Sequence, residues 1–132
     1  MPHPVRRRRF TREEFDALVA EAMDALPPAL LEQIRNVAIV VENAPSPAQL
    51  RRNQVPPGNT LLGLDEGVPL TRRTSHYGNI VPDKITLFQA PIESVAGYDP
   101  ARIREQVKRT VLHEIAHYFG IDDDRLEELG AY

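Results

Sequence analysis

His113-Glu114-Ile115-Ala116-His117-Tyr118-Phe119-Gly120-Ile121-Asp122-Asp123 carries the pattern HExxHxxGxxD. Residues four apart on an α-helix lie one above the other on the same face. His113 and His117 therefore point their imidazoles at one ion, while Glu114, next round the helix, reaches a water on that ion rather than the ion itself. Gly120 adopts positive φ without strain, so the helix is expected to stop there and the chain to turn back. That turn brings Asp123 round as a third ligand. Three protein ligands leave the fourth tetrahedral position open to water, which is the catalytic arrangement of zinc and not the structural one. HExxH alone also occurs on ordinary polar helix faces; here the helical flanks, the glycine and the later aspartate agree with it.

Upstream of the motif, Asp99 is an N-cap and Pro100 takes the favoured first helical position. A helix is expected from there to about Phe119. Ile103, Val107, Val111, Ile115 and Phe119 recur every four residues, with Leu112 and Ala116 widening the stripe. That stripe packs on a sheet, which leaves Thr110, His113, Glu114 and His117 toward a cleft.

The sheet is expected from the middle of the chain. Val37 to Val41 is a β-branched run that suits a largely buried strand, and Ile85 to Phe88 is a second, closed by Ala90-Pro91. Leu61–Leu64 and Val68–Thr71 flank Asp65-Glu66-Gly67, a hairpin signal. The Ile85 strand is expected near the cleft edge, where an extended peptide pairs by strand addition. The proline-rich stretch between the first strand and the hairpin holds a short helix near Pro47 to Arg52. At the N-terminus, Thr11 and Glu14 form a capping box for a helix running to about Leu26, with Phe15, Leu18, Val19, Ala22 and Leu26 on its core face. Ala29 to Ile34 adds a helical turn or two, and Asp124 to Leu129 a last short helix. The fold class is α+β: a mixed, twisted sheet of three to four strands with the HExxH helix packed on one face.

A chain of 132 residues is one domain, read as a basic arm over 1–9 and a single domain over 10–132. Net charge is −3, so the molecule has no overall nucleic-acid footprint, although four consecutive arginines, Arg6 to Arg9, crowd the arm. There is no cysteine, which excludes thiolate zinc sites and cysteine nucleophiles and suits a reducing compartment. The longest wholly apolar run is too short to span a bilayer. The expected location is the cytoplasm. His76 and Tyr77 are candidates to donate to an oxyanion. Asp122 and Asp124 are candidates to orient a ligand histidine. Nothing in the sequence fixes an oligomeric state.

With these residues in place, the chain resembles the small bacterial zincin-like metallopeptidase family, once a domain of unknown function. The resemblance runs from about Phe10 to Gly130. It matches a first helix over Phe15 to Pro27, a first strand over Val37 to Glu42, the glycine-bearing hairpin Leu62-Gly63-Leu64 to Leu70, a strand over Pro82 to Phe88 and the signature helix from Thr110 to Gly120. It implies a Zn²⁺ cofactor held by His113, His117 and Asp123, Glu114 as general base, and a peptide or protein substrate. The same string is similar to that of secreted snapalysin-type proteases. Metzincins add a Met-turn after the third ligand, whereas both methionines here precede the motif, and only nine residues follow Asp123. The activity implied is therefore weak or restricted. The alternative is a non-catalytic zinc-binding or interaction domain on the same scaffold.

Overall fold

The computed structural model describes residues 9–32, 34, 37–67, 83–121 and 124. The second hairpin arm, His76, Tyr77, Asp122, Asp123 and most of the last expected helix lie outside them.

The chain opens with α1 (Arg12–Asp24). Its N-terminus is fixed by the expected capping box: the Thr11 hydroxyl accepts from the Glu14 N–H at 3.1 Å, and the Glu14 carboxylate accepts from the Thr11 N–H at 3.0 Å. Pro27 ends this segment and α2 (Pro28–Leu31) follows. β1 (Val37–Glu42) leads to α3 (Pro47–Arg52), which has its own capping box between Ser46 and Gln49. β2 (Gly63–Glu66) and β3 (Asp83–Phe88) complete a three-stranded sheet among the described residues, in the order β1-β3-β2. β1 runs parallel to β3, with Val37 opposite Asp83 and Glu42 opposite Phe88. β2 runs antiparallel to β3, with Gly63 opposite Leu87 and Glu66 opposite Lys84. The expected α+β class holds.

Four expectations change in detail. β3 is the central strand and not the cleft edge; it is the run buried at Ile85, Thr86, Leu87 and Phe88 because it has a neighbour on each side. β1, expected to be largely buried, is only half-buried, since among the described residues it pairs with β3 alone. Asp65 and Glu66 are not in a turn but continue β2, where pairing with β3 outweighs their weak strand propensity. Finally, Ala90-Pro91 does not simply close β3. It lies in the first turn of α4 (Gln89–Val95), where a proline costs no helical hydrogen bond.

α5 (Pro100–Tyr118) is the longest described element, capped by Asp99, which accepts from the Ala101 N–H at 3.1 Å. Its stripe Ile103, Val107, Val111 and Ile115 is fully buried and meets Phe15 and Val19 of α1 and Ile85 and Leu87 of β3 in one core. The alternating side chains of a strand put Gly63 and Asp65 on the same face of the sheet as Leu87 and Ile85, which is the face α5 covers. The N-terminal segment is tied to α4, just past the Phe88 end of β3. The Phe10 N–H donates to the Glu93 carboxylate at 2.7 Å, and the Gln89 amide donates to the Phe10 carbonyl at 2.8 Å.

Candidate functional site

The last two turns of α5 and the strand β2 build the site together. Of the helix residues that sequence reading turned away from the core, Thr110 is in fact buried, Glu114 is half-buried, and His113 and His117 face solvent. This gradient follows from where β2 crosses the helix. Gly63 lies directly over α5: a Cβ there would sit 2.8 Å from Thr110 Cγ2 and 3.1 Å from Glu114 Cγ. Only a residue without a side chain lets the strand come so close. The Thr110 hydroxyl is turned to Gln106, which donates to it at 3.1 Å, so its methyl is what faces the strand.

Two residues along, the backbone N–H of Asp65 donates to the Glu114 carboxylate. Burial is the largest influence on that carboxyl and raises its pKa above the ordinary glutamate value; the neighbouring His113 and His117 and the Asp65 N–H pull it part of the way back. A carboxyl tuned upward holds its proton to higher pH than an ordinary glutamate does.

The helix ends as its sequence requires. Gly120 has φ 72°, its N–H donates to the His117 carbonyl at 3.0 Å, and the Ile121 N–H donates to the Ala116 carbonyl at 2.8 Å. These two bonds form a Schellman motif, which reverses the chain one residue before Asp122 and Asp123. The placement of Asp123 itself lies outside the described residues, as do those of Asp122, His76 and Tyr77. Asp124 is described and exposed.

Sequence reading missed Gly63 and Asp65. The Asp65 side chain is 2% exposed and its Oδ2 lies 3.8 Å from Nδ1 of His117, whose own side chain is 67% exposed. The available signal was a two-residue alternation, Gly63 and Asp65 on one face, in a strand only four residues long. Glu66, on the other face, is held away from the site by the Gln49 amide at 3.1 Å and Arg52 at 3.6 Å.

The donor set suits zinc as far as it is described. Two solvent-facing imidazoles one turn apart are donors of the kind zinc takes, and a half-buried carboxylate lies beside them. Among the described residues no three His, Asp or Glu side chains are grouped closely enough to hold one ion. Asp123 stays the sequence's candidate for the third.

Residues 34–131 match the model of the zincin-like metallopeptidase family, and the chain belongs to that family. A solved structure of a conserved hypothetical protein of T. thermophilus is similar over 92% of this chain and 98% of that one, with 27% identity and a TM-score of 0.53. No curated protein matches the chain. No helix among the described residues is long and apolar enough to cross a membrane.

Proposed function

We propose that this chain is a zinc-dependent metallopeptidase, with His113, His117 and Asp123 as the metal ligands and Glu114 as the general base. The observation that supports this most is the setting of Glu114: a half-buried carboxylate of raised pKa, held by a strand N–H, beside two histidines that face solvent.

Bound zinc supplies Lewis acidity, which lowers the pKa of a ligated water and polarises a carbonyl. Glu114 takes the proton from the attacking water as its oxygen bonds to the carbonyl carbon. It then hands that proton to the leaving amine as the C–N bond breaks. The substrate's place is the outer edge of β2, an edge strand paired in the sheet with β3 alone among the described residues. An extended peptide adds to such an edge through its backbone, which selects shape more than sequence. It would pass the residues that hold Glu114. The cysteine-free composition suits action in the cytoplasm.

The test joins metal content to activity. Protein purified from zinc-containing medium should carry about one metal per chain by mass spectrometry. His113→Ala or His117→Ala should lose it, and Asp123→Ala should weaken it. Glu114→Gln should keep both fold and zinc while peptide hydrolysis falls by roughly 10²-fold or more. Equal cleavage by the parent and Glu114→Gln sinks the assigned role. Loss of zinc in Glu114→Gln moves the reading to a non-catalytic zinc domain in which the carboxylate holds the site together.

A further inference from the structure

A buried carboxylate stands behind an exposed histidine in this site, and the same residue also holds the base. Asp65 turns its side chain under α5, where 2% of it is exposed, and its Oδ2 reaches to within 3.8 Å of His117 Nδ1. Its backbone N–H donates to Glu114. Its neighbours on that face of the sheet are Gly63 and the buried Ile85 and Leu87. Burying a carboxylate in such surroundings is costly unless it is paired. An acid at this position calls for a polar partner, and His117 is one.

The chemistry of imidazole supplies a reason. A neutral imidazole carries one proton, and the two ring nitrogens are then one donor and one acceptor. A carboxylate facing Nδ1 favours the proton on Nδ1. The lone pair is then left on Nε2, the nitrogen on the far side of the ring from Asp65. A metal needs that lone pair, and a ligand histidine is commonly fixed by a carboxylate on its other nitrogen. Free imidazole side chains lean the other way, toward a proton on Nε2, so without Asp65 His117 must change tautomer before it can bind through that atom.

We propose, resting on the zinc reading above, that Asp65 is a positioning residue: it holds His117 as the Nδ1-protonated tautomer, with Nε2 presented outward to the metal. Because Asp65 also donates its N–H to Glu114, one residue of β2 sets the ligand and the base relative to each other. Asp65 lies 52 positions before His117 in the chain (117 − 65 = 52), so no spacing rule around the HExxH motif points to it.

Two measurements on the full chain test this, with zinc alone as the probe. The first is a long-range ¹H–¹⁵N correlation spectrum of the side-chain nitrogens in metal-free protein at alkaline pH. The parent should show His117 protonated on Nδ1, and Asp65→Ala should move it toward Nε2 with His113 unchanged. The second is competition with a chromophoric chelator, in which Asp65→Ala should bind zinc about 10- to 100-fold more weakly than the parent. Should Asp65→Ala fail to fold, the isosteric Asp65→Asn replaces it. That variant removes the charge but keeps the volume, and should shift the tautomer and weaken zinc in the same directions by less. A parent His117 already protonated on Nε2 overturns the proposal. So does a folded Asp65 variant with unchanged tautomer and unchanged affinity, since a merely structural acid would lower Tm and move neither. If the parent binds no zinc yet its His117 tautomer depends on Asp65, the hold on His117 stands and the zinc reading fails.

Discussion

The two outer strands of the sheet that the described residues form are made of different materials and do different things. β1, on one edge, is aliphatic from Val37 to Val41 and packs half-buried against the core. One of its carbonyls is taken by a side chain: Arg12 donates from Nη1 to the Val41 carbonyl at 2.8 Å, and from Nε to Gln89 at 3.0 Å. β2, on the other edge, is four residues long and contains a glycine and two acids. It contributes little apolar surface beyond Leu64. Each of its other residues instead makes a specific contact: Gly63 with the α5 surface, Asp65 with His117 and Glu114, and Glu66 with α3. One edge is built for burial, and the other for placing groups. Substitutions on the two edges should therefore fail in different ways.

The largest effect is expected at Gly63→Ala. The added methyl group meets Thr110 Cγ2 at 2.8 Å, so strand and helix must part. Overpacking of this kind costs about 1–3 kcal/mol, and displacement of Glu114 should lower hydrolysis by roughly 10- to 100-fold. Thr110→Ser removes the opposing methyl. The double variant should regain part of both losses, measured by denaturant titration and peptide cleavage. No recovery would mean that the contact at Thr110 is not what limits the strand's approach.

Arg12→Ala attacks the other edge. It unties β1 and Gln89 together and should cost about 1 kcal/mol, with hydrolysis per folded molecule unchanged within roughly twofold. A large fall in activity at constant stability would erase the contrast between the edges.

A smaller effect separates Glu114 from its neighbours by pH. Its folded pKa lies above its unfolded value because of burial. The stability it contributes is therefore present below the ordinary carboxylate range and is lost as pH rises through the raised value. Glu114→Gln stays neutral throughout. Metal-free Glu114→Gln should melt at most a few degrees above the parent at neutral pH, and the gap should close near about pH 4. A gap of equal size at both pH values would show that burial of the charge is not its origin. The smallest effect belongs to Ala38→Val at an exposed position of β1, within about 0.5 kcal/mol and without change in activity.

The same contrast explains what could be read from the sequence. Helix α5, its Asp99 cap and its Gly120 stop were legible because each rests on neighbours within one or two turns. So were β1 and β3, whose β-branched runs advertise burial whatever they pair with. The order of the strands was not legible. Ile85 to Phe88 reads equally well as an edge or a centre, and only the parallel partner Val37–Glu42 decides between them. β2 was misread for a different reason. Asp-Glu-Gly is turn chemistry locally, and its strand character comes from β3. The proposed ligand pair and base lie at most four positions apart, whereas the groups that contact them come from a distant strand. α4 was missed because Pro91 looks like a stop and is in fact first-turn chemistry.

The tie between Phe10 and Glu93 spans 83 positions, and the parallel pairing of β1 with β3 joins segments on either side of α3 and β2. Contacts of that separation close late, because chain entropy opposes them until much else is in place. Helix α5 makes its own bonds locally and is the element best able to form first. The two histidines would then stand on a nascent helix while the strand that holds Glu114 was still undocked. Folding should be slow for a chain of this size, and its intermediates should present an imidazole pair without its recessed acid. Zinc in the refolding buffer would meet ligands before it met a finished site.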